Sequence, residues 1–146
     1  MASRYVFDTG VLSLQVDGSP RARPYLEEVA RGAAEGLVTD ISLAELQYKL
    51  CQIVGTRAAE DAGRRIRNSP LRLIRSSPYL DIAWRFKCRY RARFSLADCV
   101  VLAVAQTHAC RILTTDRSFQ NTREPRVSVR VLPIGEGDES AESGKS

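Results

Sequence analysis

Four short apolar runs, Arg4 to Phe7, Gly36 to Thr39, Leu71 to Ile74 and Arg111 to Thr114, alternate along this chain with stretches carrying a helical pattern. Parallel strands require crossover connections, and helices are the usual ones, so this alternation predicts an α/β fold with a mostly parallel sheet. The helical stretches are bounded by residues that start and stop helices. Pro20 to Arg31 has Pro24 in its first turn and Gly32 near its end. Ser42 to about Val54 places Leu43, Leu46, Leu50 and Ile53 on one face and stops at Gly55. Thr56 can cap a helix to about Asn68, before Pro70. Leu80 to Tyr90 forms another. Ser95 opens the most apolar helix, Leu96 to His108, which is expected to be the central buried one. Val127 to Leu132 alternates as Val-Ser-Val-Arg-Val and reads as a fifth strand at a sheet edge.

At 146 residues the chain suits one domain, assigned here to residues 1–134, with Gly, Ser and Glu dominating an acidic tail, 135–146, expected to be disordered. No apolar run approaches the roughly 20 residues that span a bilayer, and no signal-peptide pattern opens the chain, so a cytoplasmic location is expected. Cys51, Cys88, Cys99 and Cys110 lack Cys-x-x-Cys spacing and are joined by one histidine, which argues against zinc and for reduced core cysteines. The net charge of +5 conceals an asymmetry: Glu136, Asp138, Glu139 and Glu142 against Lys145 leave the body more basic than the whole. Arginine supplies 19 of the 22 basic residues. Guanidinium groups match phosphate oxygens, although a GC-rich genome also favours arginine.

Four carboxylates stand at element boundaries: Asp8 after Val6-Phe7, Glu45 in Ser42-Leu43-Ala44-Glu45, Asp98 in Ser95-Leu96-Ala97-Asp98, and Asp116 after Leu113-Thr114-Thr115. Each has a purely structural explanation. Ser42 with Glu45 and Ser95 with Asp98 fit capping boxes, Asp8-Thr9-Gly10 fits a turn, and Asp116 can cap a short helix at Arg117-Ser118-Phe119. Yet ligands of parallel sheets bind beyond the carboxyl ends of the strands, where Asp8 and Asp116 fall. Glu45 and Asp98, in first helical turns, are compatible with the same pocket. Carboxylates gathered there repel one another unless an oxygen-loving divalent cation neutralises them. His108 has no acid–base partner in view and is expected to be structural.

Arg85, Lys87, Arg89, Arg91 and Arg93 form the densest basic run, directly before the Asp98 helix, with Tyr90 and Phe94 interleaved. Such a run can hold a nucleic-acid backbone, the aromatics stacking on bases, or can be a solvated helix face whose aromatics enter the core. Arg64, Arg65, Arg67, Arg72 and Arg75 make a less specific basic region, and Arg117 could reach a phosphate near Asp116.

In this order, the four segments resemble the PIN-domain ribonucleases, and most closely the small VapC-type toxins of prokaryotic toxin–antitoxin pairs, from about Tyr5 to Phe119. The resemblance implies a three-layer fold with a mostly parallel sheet of about five strands flanked by helices. It also implies Mg²⁺ or Mn²⁺ held by Asp8, Glu45, Asp98 and Asp116, with Thr9 and Thr114 in support. The implied reaction is metal-dependent hydrolysis of RNA, leaving a 5′-phosphate and a 3′-hydroxyl. The implied partners are a cognate antitoxin and a second copy of the chain, for which the helix from Leu46 to Val54 is a candidate surface. Gly10 stands where relatives often carry Ser, Asn or Asp, and Ser118 where many carry a second acid. Competing readings are a housekeeping RNA-processing nuclease and a non-catalytic RNA- or partner-binding module of the same fold. More distant are an aspartic protease, suggested by the Asp8-Thr9-Gly10 triplet, and an aspartyl-nucleophile phosphatase, which would want an acid where Gly10 stands.

Overall fold

The computed structural model describes residues 3–132, so the expectation for the acidic tail lies outside the described residues. Five strands, β1 (Ser3–Phe7), β2 (Ala34–Thr39), β3 (Arg72–Ile74), β4 (Arg111–Thr114) and β5 (Ser128–Val131), form one sheet in the order β3-β2-β1-β4-β5. All four pairings are parallel; Val6 of β1 lies beside Leu37 on one side and Ile112 on the other.

Helices α1 (Thr9–Val16), α2 (Arg23–Ala30), α3 (Asp40–Ile53) and α4 (Thr56–Arg67) occupy the crossovers from β1 to β2 and from β2 to β3. Helices α5 (Leu80–Tyr90) and α6 (Leu96–His108) carry the chain back past β1 to β4. Because successive strand residues face opposite ways, the sheet feeds two cores. Tyr5, Phe7, Val38 and Leu113 pack with α1 to α4, whereas Val6, Leu37 and Ile112 pack with α5 and α6. Every residue of α6 from Cys99 to Ala105 is fully buried, as its apolar sequence requires.

Some expectations about helix starts and faces need correction. Thr9-Gly10 is the opening of α1, with Asp8 in the extended conformation just before it, and is not an isolated turn. A Cβ on Gly10 would come within 2.1 Å of Thr115 Oγ1, so packing against the β4 exit rather than a turn explains this glycine. Second, Ser42 does not begin α3. Strand β2 runs directly into the helix, Thr39 is its N-cap and accepts the Ser42 amide, so Ser42 and Glu45 form no capping box. Likewise Gly55, at φ 119°, and not Thr56, precedes α4. Third, Leu43 and Leu46 are buried as expected, but Ile53 is 74% exposed, because α3 runs past the core. By contrast α5, α6 and β4 fall on the residues expected from sequence, and β5 is an edge strand paired with β4 alone.

All four cysteines are free. Cys99 and Cys110 are buried and burial pushes their thiols up to about 11, whereas Cys51 and Cys88 are exposed and so are not core residues. His108 Nε2 meets the Tyr79 hydroxyl at 2.6 Å, a structural contact at the end of α6. Among the described residues no helix is long and apolar enough to cross a membrane.

Candidate active site

The connection leaving β1 turns toward β2 at one edge of the sheet and the connection leaving β4 turns toward β5 at the other, so the carboxyl ends of β1 and β4 form the topological switch point where a parallel sheet binds its ligands. Asp8 and Asp116 follow those two strands. Glu45 arrives on α3 from one face and Asp98 on α6 from the other. Asp8 is the deepest, only 7% exposed. Its Oδ2 accepts the Thr114 hydroxyl at 2.8 Å, and Thr114 Oγ1 in turn accepts the Asp116 amide at 3.0 Å. One buried hydroxyl therefore couples the ends of β1 and β4. Thr9 makes the equivalent link to α3, donating to Glu45 Oε1 at 2.7 Å.

Electrostatics show that the four acids share one field. Burial, augmented by the nearby Asp98 and Glu45 carboxylates and opposed by the Thr114 hydroxyl, pushes Asp8 up to about 6. Burial likewise raises Asp98, with Asp116 and Glu45 adding to the effect. These are the signs expected of desolvated carboxylates repelling one another.

Each outer acid is nevertheless tied to its own chain. Asp98 Oδ2 accepts the Ser95 amide at 3.0 Å while Ser95 Oγ accepts the Asp98 amide at 3.1 Å, a complete capping box. Asp116 Oδ1 accepts the Ser118 amide at 2.8 Å and caps the short 3₁₀ turn Arg117–Phe119. Glu45 Oε2 faces Lys49 Nζ at 3.3 Å. Among the described residues no three Asp, Glu, His or Cys side chains form a group that could hold a metal ion as they stand. The donor chemistry still suits a hard divalent cation: all the groups are oxygens, and among the described residues no cation pairs with the buried Asp8 carboxylate.

The basic run is largely engaged by the protein. Lys87 Nζ donates to the carbonyls of Arg91 (2.7 Å) and Phe94 (2.8 Å), fastening the turn before α6, where Arg91 adopts φ 52°. Arg89 Nη1 donates to both carboxylate oxygens of Glu124, which also accepts the Tyr90 hydroxyl. Arg93 Nε donates to Ser118 O at 3.2 Å and lies over Tyr90 and Phe94. Phe94 is 1% exposed and packs on Phe119, so it is a core residue and cannot stack on a base. Arg85 lies over the exposed Trp84 ring. Arg91 and Arg117 are exposed. The sequence reading missed Lys49 and Glu124; a Glu-Lys pair four apart on a helix could have signalled the first, but nothing local signals Glu124, whose partners come from α5.

The PIN domain family matches residues 5–125, and this chain belongs to that family. Solved structures with the same fold include VapBC from Salmonella typhimurium bound to DNA, at TM-score 0.67 and 13% identity, covering 90% of this chain and 99% of that one. VapBC2 from Rickettsia felis, bound to a fragment of its promoter, gives 0.66 and 17%, covering 88% and 98%. The sarcin-ricin-loop-cleaving toxin VapC20 of Mycobacterium tuberculosis gives 0.60 and 19%, covering 74% and 86%. No curated protein sequence matches the chain. An all-parallel sheet with Asp8 at the start of a helix leaves no place for the almost wholly β aspartic-protease arrangement.

Proposed function

We propose that this chain is a metal-dependent endoribonuclease and the toxin of a toxin–antitoxin pair, with Asp8, Glu45, Asp98 and Asp116 as its active-site acids. The observation that carries this reading is Asp8: a nearly buried carboxylate at the switch point, pushed up to about 6 by burial and by two neighbouring acids. A fold does not keep such uncompensated charge for stability, and perturbed carboxylates in a crevice are the usual mark of a working site.

A divalent cation, Mg²⁺ or Mn²⁺, when bound would help deprotonate water and offset charge developing on the phosphate. Asp8 and Asp98 would hold it from the centre of the site, with Glu45 and Asp116 completing the oxygen set. Thr114 and Thr9 orient Asp8 and Glu45 through their hydroxyls, and hydrogen bonds of this kind fix ligand geometry. Ser95 keeps Asp98 rigid through the capping box, so the structural and chemical roles of that acid coincide. Arg91 and Arg117, exposed and near Asp98 and Asp116 in the chain, are the best placed of the expected arginines to meet phosphates. Arg85 could add a contact from outside, whereas Lys87, Arg89 and Arg93 serve the RNA chiefly by shaping the turn before α6.

The antitoxin and a cytoplasmic homodimer belong to the same reading. Support comes from neighbours solved as VapBC complexes and from Tyr48, Ile53 and Val54, apolar side chains that α3 leaves exposed. The test is cleavage of a structured RNA with Mg²⁺ or Mn²⁺ against EDTA, with product ends mapped. Cleavage should need the metal, and Asp8→Asn or Asp98→Asn should lower it at least a hundredfold, equivalent to about 2.7 kcal/mol or more. Variants that cut as well as the wild type would overturn the proposal.

A further inference from the structure

Glu45 differs from the other outer acids in the extent of its engagement. Asp98 and Asp116 each spend one carboxylate oxygen on a backbone amide, but both oxygens of Glu45 are occupied, Oε1 by Thr9 at 2.7 Å and Oε2 by Lys49 at 3.3 Å. The Thr9 bond is part-buried, whereas the Lys49 side chain is 54% exposed and its pair with Glu45 is an ordinary surface one. Such pairs contribute little to stability and exchange readily. The contrast with other basic groups around the site is informative: Lys87 and Arg93 are committed to carbonyls and Arg89 to a buried glutamate, partners that a substrate would not remove. Lys49 alone among these four is committed to an acid that a divalent cation would claim.

Lys49 also lines a groove of about 220 Å³ between α1 and α3, together with Thr9, Gly10, Ser13, Leu46, Leu50 and Ile53, and Thr9 is the residue that donates to Glu45. We propose that Lys49 is an exchangeable phosphate-binding residue: paired with Glu45 in the metal-free protein, it is released when a cation takes Glu45, and then binds a phosphate of the RNA lying along this groove. An ammonium on a flexible stem suits that transfer better than the planar guanidinium fork. In the resting protein the same pair keeps one of the four acids neutralised. The proposal rests on the ribonuclease reading.

The experiment compares wild type, Lys49→Gln and Lys49→Arg by calorimetric titration with Mn²⁺ alone and by steady-state cleavage of an RNA hairpin over a range of salt. Removing the competing cation should tighten Mn²⁺ binding by roughly threefold to tenfold in Lys49→Gln, while losing one phosphate contact should raise KM by a similar factor with kcat little changed. The slope of log(kcat/KM) against log[salt] should fall by about 0.7. Lys49→Arg, which keeps the charge but not the compact ammonium, should restore the salt slope and only part of KM. These opposed effects on metal and RNA would not arise from a lysine that merely supports α3. Unchanged or weaker Mn²⁺ binding, or an unchanged KM and salt slope, would overturn the proposal. A wild type that cleaves no RNA would instead sink the ribonuclease reading, and the metal titration still reports on the Glu45–Lys49 exchange.

Discussion

Replacing Asp8 by Asn should stabilise the metal-free protein at neutral pH. The folded state holds Asp8 at about 6 against an ordinary value of 3.8. Below pH 3.8 the carboxyl is neutral whether the chain is folded or not, and the group costs nothing. As pH rises through about 6, the folded protein must ionise Asp8 in a nearly buried site beside Asp98 and Glu45, and stability is lost. At 1.36 kcal/mol for each unit of pKa, the full rise corresponds to about 3 kcal/mol above pH 7, a large share of the 5–15 kcal/mol typical of a domain. Asparagine removes the charge and keeps an oxygen to accept the Thr114 hydroxyl. Urea denaturation in EDTA at pH 4 to 8 measures the difference. Asp8→Asn should exceed wild type by up to about 3 kcal/mol at pH 8, the gap closing toward pH 4, and millimolar Mg²⁺ should narrow it by stabilising the wild type. If the variant is no more stable at pH 8, or the gap ignores pH, the view of Asp8 as an uncompensated buried charge is refuted.

Thr114→Val, nearly isosteric at a fully buried position, should cost about 1–3 kcal/mol and weaken Mn²⁺ binding by roughly tenfold to a hundredfold, read by denaturation and calorimetry. Phe94→Ala should lower stability by about 3–5 kcal/mol, visible as a depressed Tm without RNA, because Phe94 fills the core against Phe119. Ser95→Ala should cost about 1 kcal/mol through the lost cap in thermal unfolding, and should lower the rate of RNA cleavage more than its modest effect on folding would explain.

Sequence legibility followed the range of the interactions involved. Helix α6 could be read because its signals are local: a Ser-x-x-Asp cap and an unbroken apolar run. Strand β4 could be read because its apolar run ends at a capping aspartate. Helix α1 was obscured because Asp-Thr-Gly has the local chemistry of a turn, and the reason for Gly10 lies 105 residues away in the Thr115 side chain. The start of α3 was ambiguous between two hydroxyls three residues apart; Thr39 won because β2 delivers it, fully buried, at the sheet edge. The positions of the four acids were legible, but their partners were only partly so. Thr114 and Thr9 adjoin acids in sequence, whereas the Glu124 clamp on Arg89 and Tyr90 joins segments that carry no mutual pattern.

The sheet order has a consequence for a chain made from its N-terminus. Strand β1 lies at the centre, yet one of its neighbours, β4, is synthesised roughly a hundred residues later, and Asp116 later still. Until then β1 has an open edge, Thr114 has not reached Asp8, and Asp98 has no β4 beside β1 to complete its crevice. The four acids thus come together only late in assembly, when the crossover through α5 and α6 delivers β4 beside β1. A truncated or ribosome-bound chain ending before β4 contains three of the four acids and no site, so the order of the strands acts as a built-in timer on whatever chemistry the crevice performs.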